Sequence, residues 1–203
     1  MCNKKKTMKK FKLAVMALFA MVTVANVNAQ ESNNPWAISV GLNIIDVRGG
    51  DDFSSKFNDY LGNSDWNWSN VPLSRITAEK YLSDSFTLQL AGSFNNLDNG
   101  FDDVIHTSFD ANVKYSLDGL VANIFGKSTQ QFSPFVYLGA GYTSLDGDGE
   151  AMLNYGFGVN FWLTDTVGLV YQAGTKEQLS DVVPSHYQHS MGVIFKLGGS
   201  MSK

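Results

Sequence analysis

The sequence predicts an all-β fold, an eight-stranded antiparallel up-and-down transmembrane β-barrel, and three observations carry that prediction. Apolar and polar residues alternate with a period of two in segment after segment. The connections between segments are mostly tight at one end and long and polar at the other. The more apolar face also carries aromatic residues near the segment ends, and nothing beyond residue 30 reads as a long amphipathic helix.

The first 29 residues stand apart from this pattern. They open on Lys4, Lys5, Lys6, Lys9, Lys10 and Lys12, continue through an apolar segment over 13–24, and end on the small-residue stretch Val27-Asn28-Ala29. That three-part order is the pattern of a secretory signal peptide, with cleavage after Ala29. The apolar run is short of the ~20 residues that span a bilayer as a helix. The expected division is therefore 1–29 as signal and 30–203 as one barrel domain. Removing the signal takes six of the fifteen Lys and Arg and none of the nineteen Asp and Glu, so nine basic residues face nineteen acidic ones, a formal charge of −10. So acidic a chain argues against nucleic acid as a partner, because phosphate binding draws on clustered Lys and Arg. Cys2 leaves with the signal, and the mature chain has neither a disulfide nor a thiolate nucleophile.

The strands follow in order. "WAISVGLNII" sets Trp36, Ile38, Val40, Leu42 and Ile44 against Ala37, Ser39, Gly41 and Asn43. A weaker segment covers 73–82. "FTLQLAGSF" sets Phe86, Leu88, Leu90 and Phe94 against Thr87, Gln89, Ala91 and Ser93. "SFDANVKY" sets Phe109, Ala111, Val113 and Tyr115 against Ser108, Asp110, Asn112 and Lys114. After a weaker stretch over 132–145, "AMLNYGFGVNFW" opposes Leu153, Tyr155, Phe157, Val159 and Phe161 to Asn154, Gly156, Gly158 and Asn160. A segment over 167–174 and the closing "YQHSMGVIFKL" bring the total to eight, and alternation of this kind marks strands with one apolar face.

"SDS" at 83–85 and "TDT" at 164–166 are tight turns, whereas 48–71, 96–106 and 175–186 read as long polar connections. Short turns on one side and longer loops on the other are the arrangement of outer-membrane barrels. Two connections depart from it: 146–149 is short where a loop is expected, and 116–131 is long where a turn is expected.

Period alone leaves open which face points outward, since a soluble lipocalin-like barrel turns the same apolar face inward. The weaker face is built of Gly, Ser, Asn, Gln and Ala, with Arg75, Glu79, Asp110 and Lys114 among its few charges. Opposite charges of this kind suit a narrow interior in which they pair. Trp36, Tyr81, Phe86, Tyr115, Tyr142, Trp162 and Tyr187 fall near strand ends on the stronger face, as interfacial girdles do.

"NPWAISVG", "PLSRITAEKYL" and "HYQHSMGVIFKLGG" together resemble the amino-terminal barrel of OmpA-family proteins of the Bacteroidetes group, over 34–199. The resemblance implies an outer-membrane barrel inserted by the barrel-assembly machinery. It also implies that Ser190, Gly192, Phe195 and Leu197 form the final-strand assembly signal. Members of that family usually continue into an Asp-rich linker and a peptidoglycan-binding domain, but only four residues follow the closing motif here, so the barrel alone is expected.

Candidate sites are few. His186, His189 and Ser190 invite a hydrolytic reading, because some eight-stranded barrels that modify lipid A use His and Ser near the outer rim. On a strand, however, His189 and Ser190 point to opposite faces, and His186 falls at a loop edge with no acidic neighbour in sequence. Polar residues at the membrane interface are the favoured reading of this cluster. Asp146, Asp148 and Glu150 faintly echo a calcium loop, as does 98–103, but Asp and Gly at a hairpin tip are turn chemistry. "GAG" at 139–141 and "GFG" at 156–158 lie inside strands and are read as room for large interior side chains rather than as phosphate loops. Trp66 and Trp68, in the longest connection, are candidates for surface contact.

The expected protein is a monomeric, non-enzymatic outer-membrane barrel with no metal or cofactor. Its partners would be outer-membrane lipids, lipopolysaccharide and the assembly machinery. Its role would be structural or surface-interactive: envelope integrity, adhesion, or small-solute passage through a narrow, largely plugged lumen. A lipid A-modifying barrel enzyme and a soluble lipocalin-like binding barrel are the alternatives.

Overall fold

A computed structural model describes residues 36–46, 67–68, 73–83, 85–98, 103–125 and 131–197. The strands are β1 (Trp36–Asp46), β2 (Asn67–Trp68), β3 (Arg75–Tyr81), β4 (Phe86–Asp98) and β5 (Asp103–Ser116), followed after a helix by β6 (Phe132–Leu145), β7 (Asp148–Trp162), β8 (Val167–Gln178) and β9 (His186–Leu197). From β3 to β9 each strand pairs antiparallel with its successor, and β1 pairs with both β3 and β9. The last pairing runs from Trp36 opposite Leu197 to Asp46 opposite Tyr187 and closes the sheet. The result is an eight-stranded antiparallel barrel, with the two-residue β2 extending the β3 side of β1 through Ile44 opposite Trp68.

Because side chains alternate across each strand, closure sorts them into two populations. Ser39, Thr77, Gln89, Asn112, Asn154, Gln172 and Gln188 are buried inside. Phe109, Leu138, Tyr142 and Phe157 are exposed outside. This is the polarity of a barrel that keeps its polar groups within and presents an apolar wall, the opposite of a soluble barrel.

One end of the barrel, here the turn end, carries the β3–β4, β5–β6 and β7–β8 connections, and the other, the loop end, carries the rest. Several expectations about these connections are corrected. The stretch 96–106 is mostly ladder, with Asn96 opposite Ile105 and Asp98 opposite Asp103. Likewise 175–186 begins and ends in paired strand, with Lys176 opposite His186. Backbone hydrogen bonds need no apolar side chains, so the ladder runs on where alternation fades. The long turn-end connection contains helix α1 (Asp118–Phe125). The short 146–149 connection is a two-residue hairpin in which Asp146 and Gly147 have φ of 51° and 104°, the positive values that a type I′ turn requires.

Two aromatics placed on the outer face belong inside. Tyr81 lies opposite Thr87 and Trp162 opposite Gly168, and both rings line the lumen at the turn end. Their chemistry suits the girdle, but parity governs direction. His186 is also corrected: it is buried in the lumen rather than standing at an interface.

Candidate functional site

The inward side chains form a polar network that crosses the barrel and draws on all eight of its strands. Toward the turn end, Lys114 Nζ lies 2.9 Å from both carboxylate oxygens of Glu79. The ammonium also stands 3.7 Å over the Phe135 ring. Gln89 Nε2 donates to Glu79 at 2.9 Å and to Gln172 Oε1 at 3.1 Å, while Gln89 Oε1 accepts from Asn112 Nδ2 at 3.1 Å. Asn154 Nδ2 then joins Asn112 Oδ1 at 3.3 Å and Asp110 Oδ1 at 3.1 Å. Asp110 is the second anionic centre. Lys176 Nζ approaches it at 2.6 Å and Arg75 Nη1 at 3.6 Å. Toward the loop end, Arg75 donates to Ser93 Oγ, and Gln188, Asn43 and Asn95 continue the chain of bonds.

The four charges singled out in the sequence thus face the lumen as two groups, Glu79 with Lys114 and Arg75 with Asp110. Sequence reading missed Lys176, which joins the second group. Lys176 shares parity with Gln172 and Gly174, and following that alternation two residues further would have found it. The interior leaves little space between these groups. Beside Arg75, Thr77 and Gln89 a cavity of about 10 Å³ remains, about the minimum for one water molecule. At the turn end the lumen widens to about 170 Å³ between Tyr81, Lys114, Phe135, Trp162 and Lys196. Glycines make the packing possible where Tyr137 crosses the lumen, since a Cβ on Gly156 or Gly174 would collide with its hydroxyl. Gly158 accommodates the Phe135 ring in the same way.

The remaining candidates separate. His189 shares a 2.9 Å hydrogen bond with the Tyr171 hydroxyl on the outer face. His186 Nδ1 bonds the Pro184 carbonyl at 2.9 Å, and its ring meets His106 edge-on at 5.5 Å. Ser190 lies opposite Asn43 and Gly192 opposite Gly41, both facing the lumen, whereas Phe195 and Leu197 share the outer face with Ile38 and Trp36. Trp68 lies in β2, and Trp66 and the signal segment fall outside the described residues. Glu150 is engaged by the loop between β8 and β9. Its carboxylate accepts backbone N–H groups of Ser180, Val182 and Val183, the last two at 3.0 and 2.8 Å. Among the described residues no group of three or more His, Cys, Asp or Glu is placed to hold a metal ion. What the arrangement does chemically is fill the lumen with paired charges and amides.

No family model and no curated protein matches the chain. Solved structures do. The N-terminal β-barrel domain of Pseudomonas aeruginosa OprF is 15% identical, with a TM-score of 0.51, covering 80% of this chain and 96% of that one. Neisserial surface protein A is 13% identical, with a TM-score of 0.50 and the same coverage of 80% and 96%. The outer membrane protein AlkL, determined in DMPC lipid bilayers, is 12% identical with a TM-score of 0.50, covering 88% of this chain and 95% of that one. At these identities the likeness is one of fold.

Proposed function

We propose that this chain is a small outer-membrane barrel without enzymatic activity, whose role is structural or surface-interactive and whose lumen is a plug rather than a pore. One observation carries the reading: Arg75, Glu79, Asp110, Lys114 and Lys176 are buried inside, while Phe109, Leu138 and Tyr142 are each more than half exposed outside. In water that outer wall would be a far larger apolar patch than soluble monomers present. In a bilayer it is the expected surface. Outer-membrane lipids and lipopolysaccharide are then the immediate surroundings. The export pattern of the first 29 residues supports the same destination. Likeness in fold to the outer membrane protein AlkL, determined in lipid bilayers, supports the same reading.

The finer reading is an OmpA-type barrel of the Bacteroidetes group. It rests on the three sequence motifs and on Ser190, Gly192, Phe195 and Leu197 as the signal read by the assembly machinery. Phe195 pairs with Ile38 and Val167 on the outer face, so Phe195→Ser should lower the amount assembled in cells while leaving the ladder itself intact. Surface contact through Trp66 and Trp68 belongs to the same proposal. Cell fractionation with gel migration before and after boiling tests the whole. The protein is expected in the outer-membrane fraction with heat-modifiable migration, and recovery in the soluble fraction without it would overturn the reading.

A further inference from the structure

At the turn end the exposed apolar surface extends beyond the strands into the connections. Five strands present a half-exposed aromatic there: Trp36, Phe86, Tyr115, Phe132 and Phe161, all between 41 and 45% exposed. The Lys80 ammonium sits 5.5 Å above the Trp36 ring. Such a girdle marks the level at which an apolar band meets headgroups. Yet the apolar surface continues past it. Each of the three turn-end connections carries an exposed leucine: Leu82 at 54%, Leu120 at 56% and Leu163 at 57%.

Leu120 belongs to α1, the one long connection at this end. The helix is tied to the wall at its start, where the Leu117 N–H donates to the Pro134 carbonyl at 2.9 Å and Ser116 Oγ accepts from the Asp118 N–H at 3.2 Å. In sequence, apolar residues fall at 117, 120, 121, 124 and 125, the i, i+3, i+4, i+7, i+8 spacing of a one-sided helix. Eight residues including Gly119 are too few to hold a helix in water by themselves. Something must cover the apolar stripe, and at Leu120 the barrel does not.

We infer that the turn-end rim, with α1 lying along it, is a lipid-contact collar seated in the headgroup layer of the leaflet on that side. The inference rests on the membrane reading above. The distribution of the leucines selects a lipid surface over a protein partner. They sit on three separate connections spread around the barrel, as a ring, and a planar lipid layer surrounds a ring whereas a protein partner covers one side. The depth expected for such a helix is about 5–10 Å into the headgroup and acyl boundary. The connection that breaks the short-turn pattern thereby contributes α1 to the collar.

The mature chain is free of cysteine, so single-cysteine variants report cleanly. Leu120→Cys, Asp118→Cys and, as a mid-wall reference, Leu138→Cys would each carry an environment-sensitive fluorophore. Each is refolded into phosphatidylcholine vesicles containing lipids spin-labelled either near the glycerol or near the acyl terminus. The Leu120 probe is expected to be quenched more strongly by the shallow label than the Asp118 probe, while the Leu138 probe responds to the deep label. If Leu138 is quenched and Leu120 responds no more than Asp118, the collar is refuted and the membrane barrel stands. If no probe is quenched, both fall.

Discussion

Lys176 on β8 and Asp110 on β5 belong to strands that are not neighbours, yet Nζ and Oδ1 meet at 2.6 Å across the lumen. Asp110 also stands 3.6 Å from Arg75. One anion therefore serves two buried cations, and that asymmetry makes a prediction. Asp110→Asn leaves two unneutralised cations in a narrow interior and should cost about 3–5 kcal/mol, the range for breaking a buried pair. Lys176→Met leaves Asp110 still paired with Arg75 and should cost less. Urea unfolding of the two variants in lipid vesicles checks the order, and a milder Asp110→Asn would show that Asp110 is not the shared counter-ion.

The same network governs passage. Gln89 touches Glu79, Asn112 and Gln172 at once, and the adjacent space amounts to about 10 Å³. A lumen crossed by these side-chain bonds is expected to stop hydrated ions. Planar-bilayer recordings of the purified protein should show no stable large conductance, and a steady open level of that kind would contradict the plug.

At the loop end the prediction concerns Glu150. Its carboxylate gathers the N–H groups of Ser180, Val182 and Val183, and Val183 is wholly buried beneath that contact. Gln178 and Ser185 close the base of the same loop with reciprocal bonds at 3.0 Å. Hydrogen bonds to a charged acceptor contribute about 1.5–3 kcal/mol each, so Glu150→Gln should loosen this loop without unmaking the barrel. Limited proteolysis should then cut within 179–185 several times faster than in the parent, with the barrel fragments still resisting boiling-free denaturation on gels. Equal cutting rates would mean the carboxylate does not hold the loop.

What could be read from the sequence follows from where physical constraint is periodic. Mid-strand, each residue must serve either the lumen or the wall, so parity places Gln89, Asp110 and Asn154 on one face, and the polar composition of that face marks it as the lumen. At the strand ends that constraint relaxes. Lys176 follows Thr175 beyond the last clear apolar position, and the ladder that carries it to His186 is made of backbone bonds with no sequence signature. Tyr81 and Trp162 are illegible for the converse reason, because a ring at a strand end suits a girdle or a lumen mouth equally well. The pairings Lys114 with Glu79 and Lys176 with Asp110 depend on barrel closure and stagger, which no single segment encodes.

The hairpin at Asp146 and Gly147 allows a local test that separates turn chemistry from cation binding. Gly147 has φ of 104°, and nothing lies within 4 Å of where its Cβ would be. Any penalty on Gly147→Ala is therefore backbone strain, about 1–2 kcal/mol for an L-residue on the left-handed side. Asp146, at φ 51°, sits where Asn is tolerated as readily as Asp. Asp146→Asn should consequently leave stability within about 0.5 kcal/mol of the parent, and it should do so equally with and without calcium. Thermal melts of both variants, each with calcium or chelator, check this. A calcium-dependent loss in Asp146→Asn would restore the carboxylate as a ligand, and a neutral Gly147→Ala would remove the type I′ turn as the reason for glycine at this position.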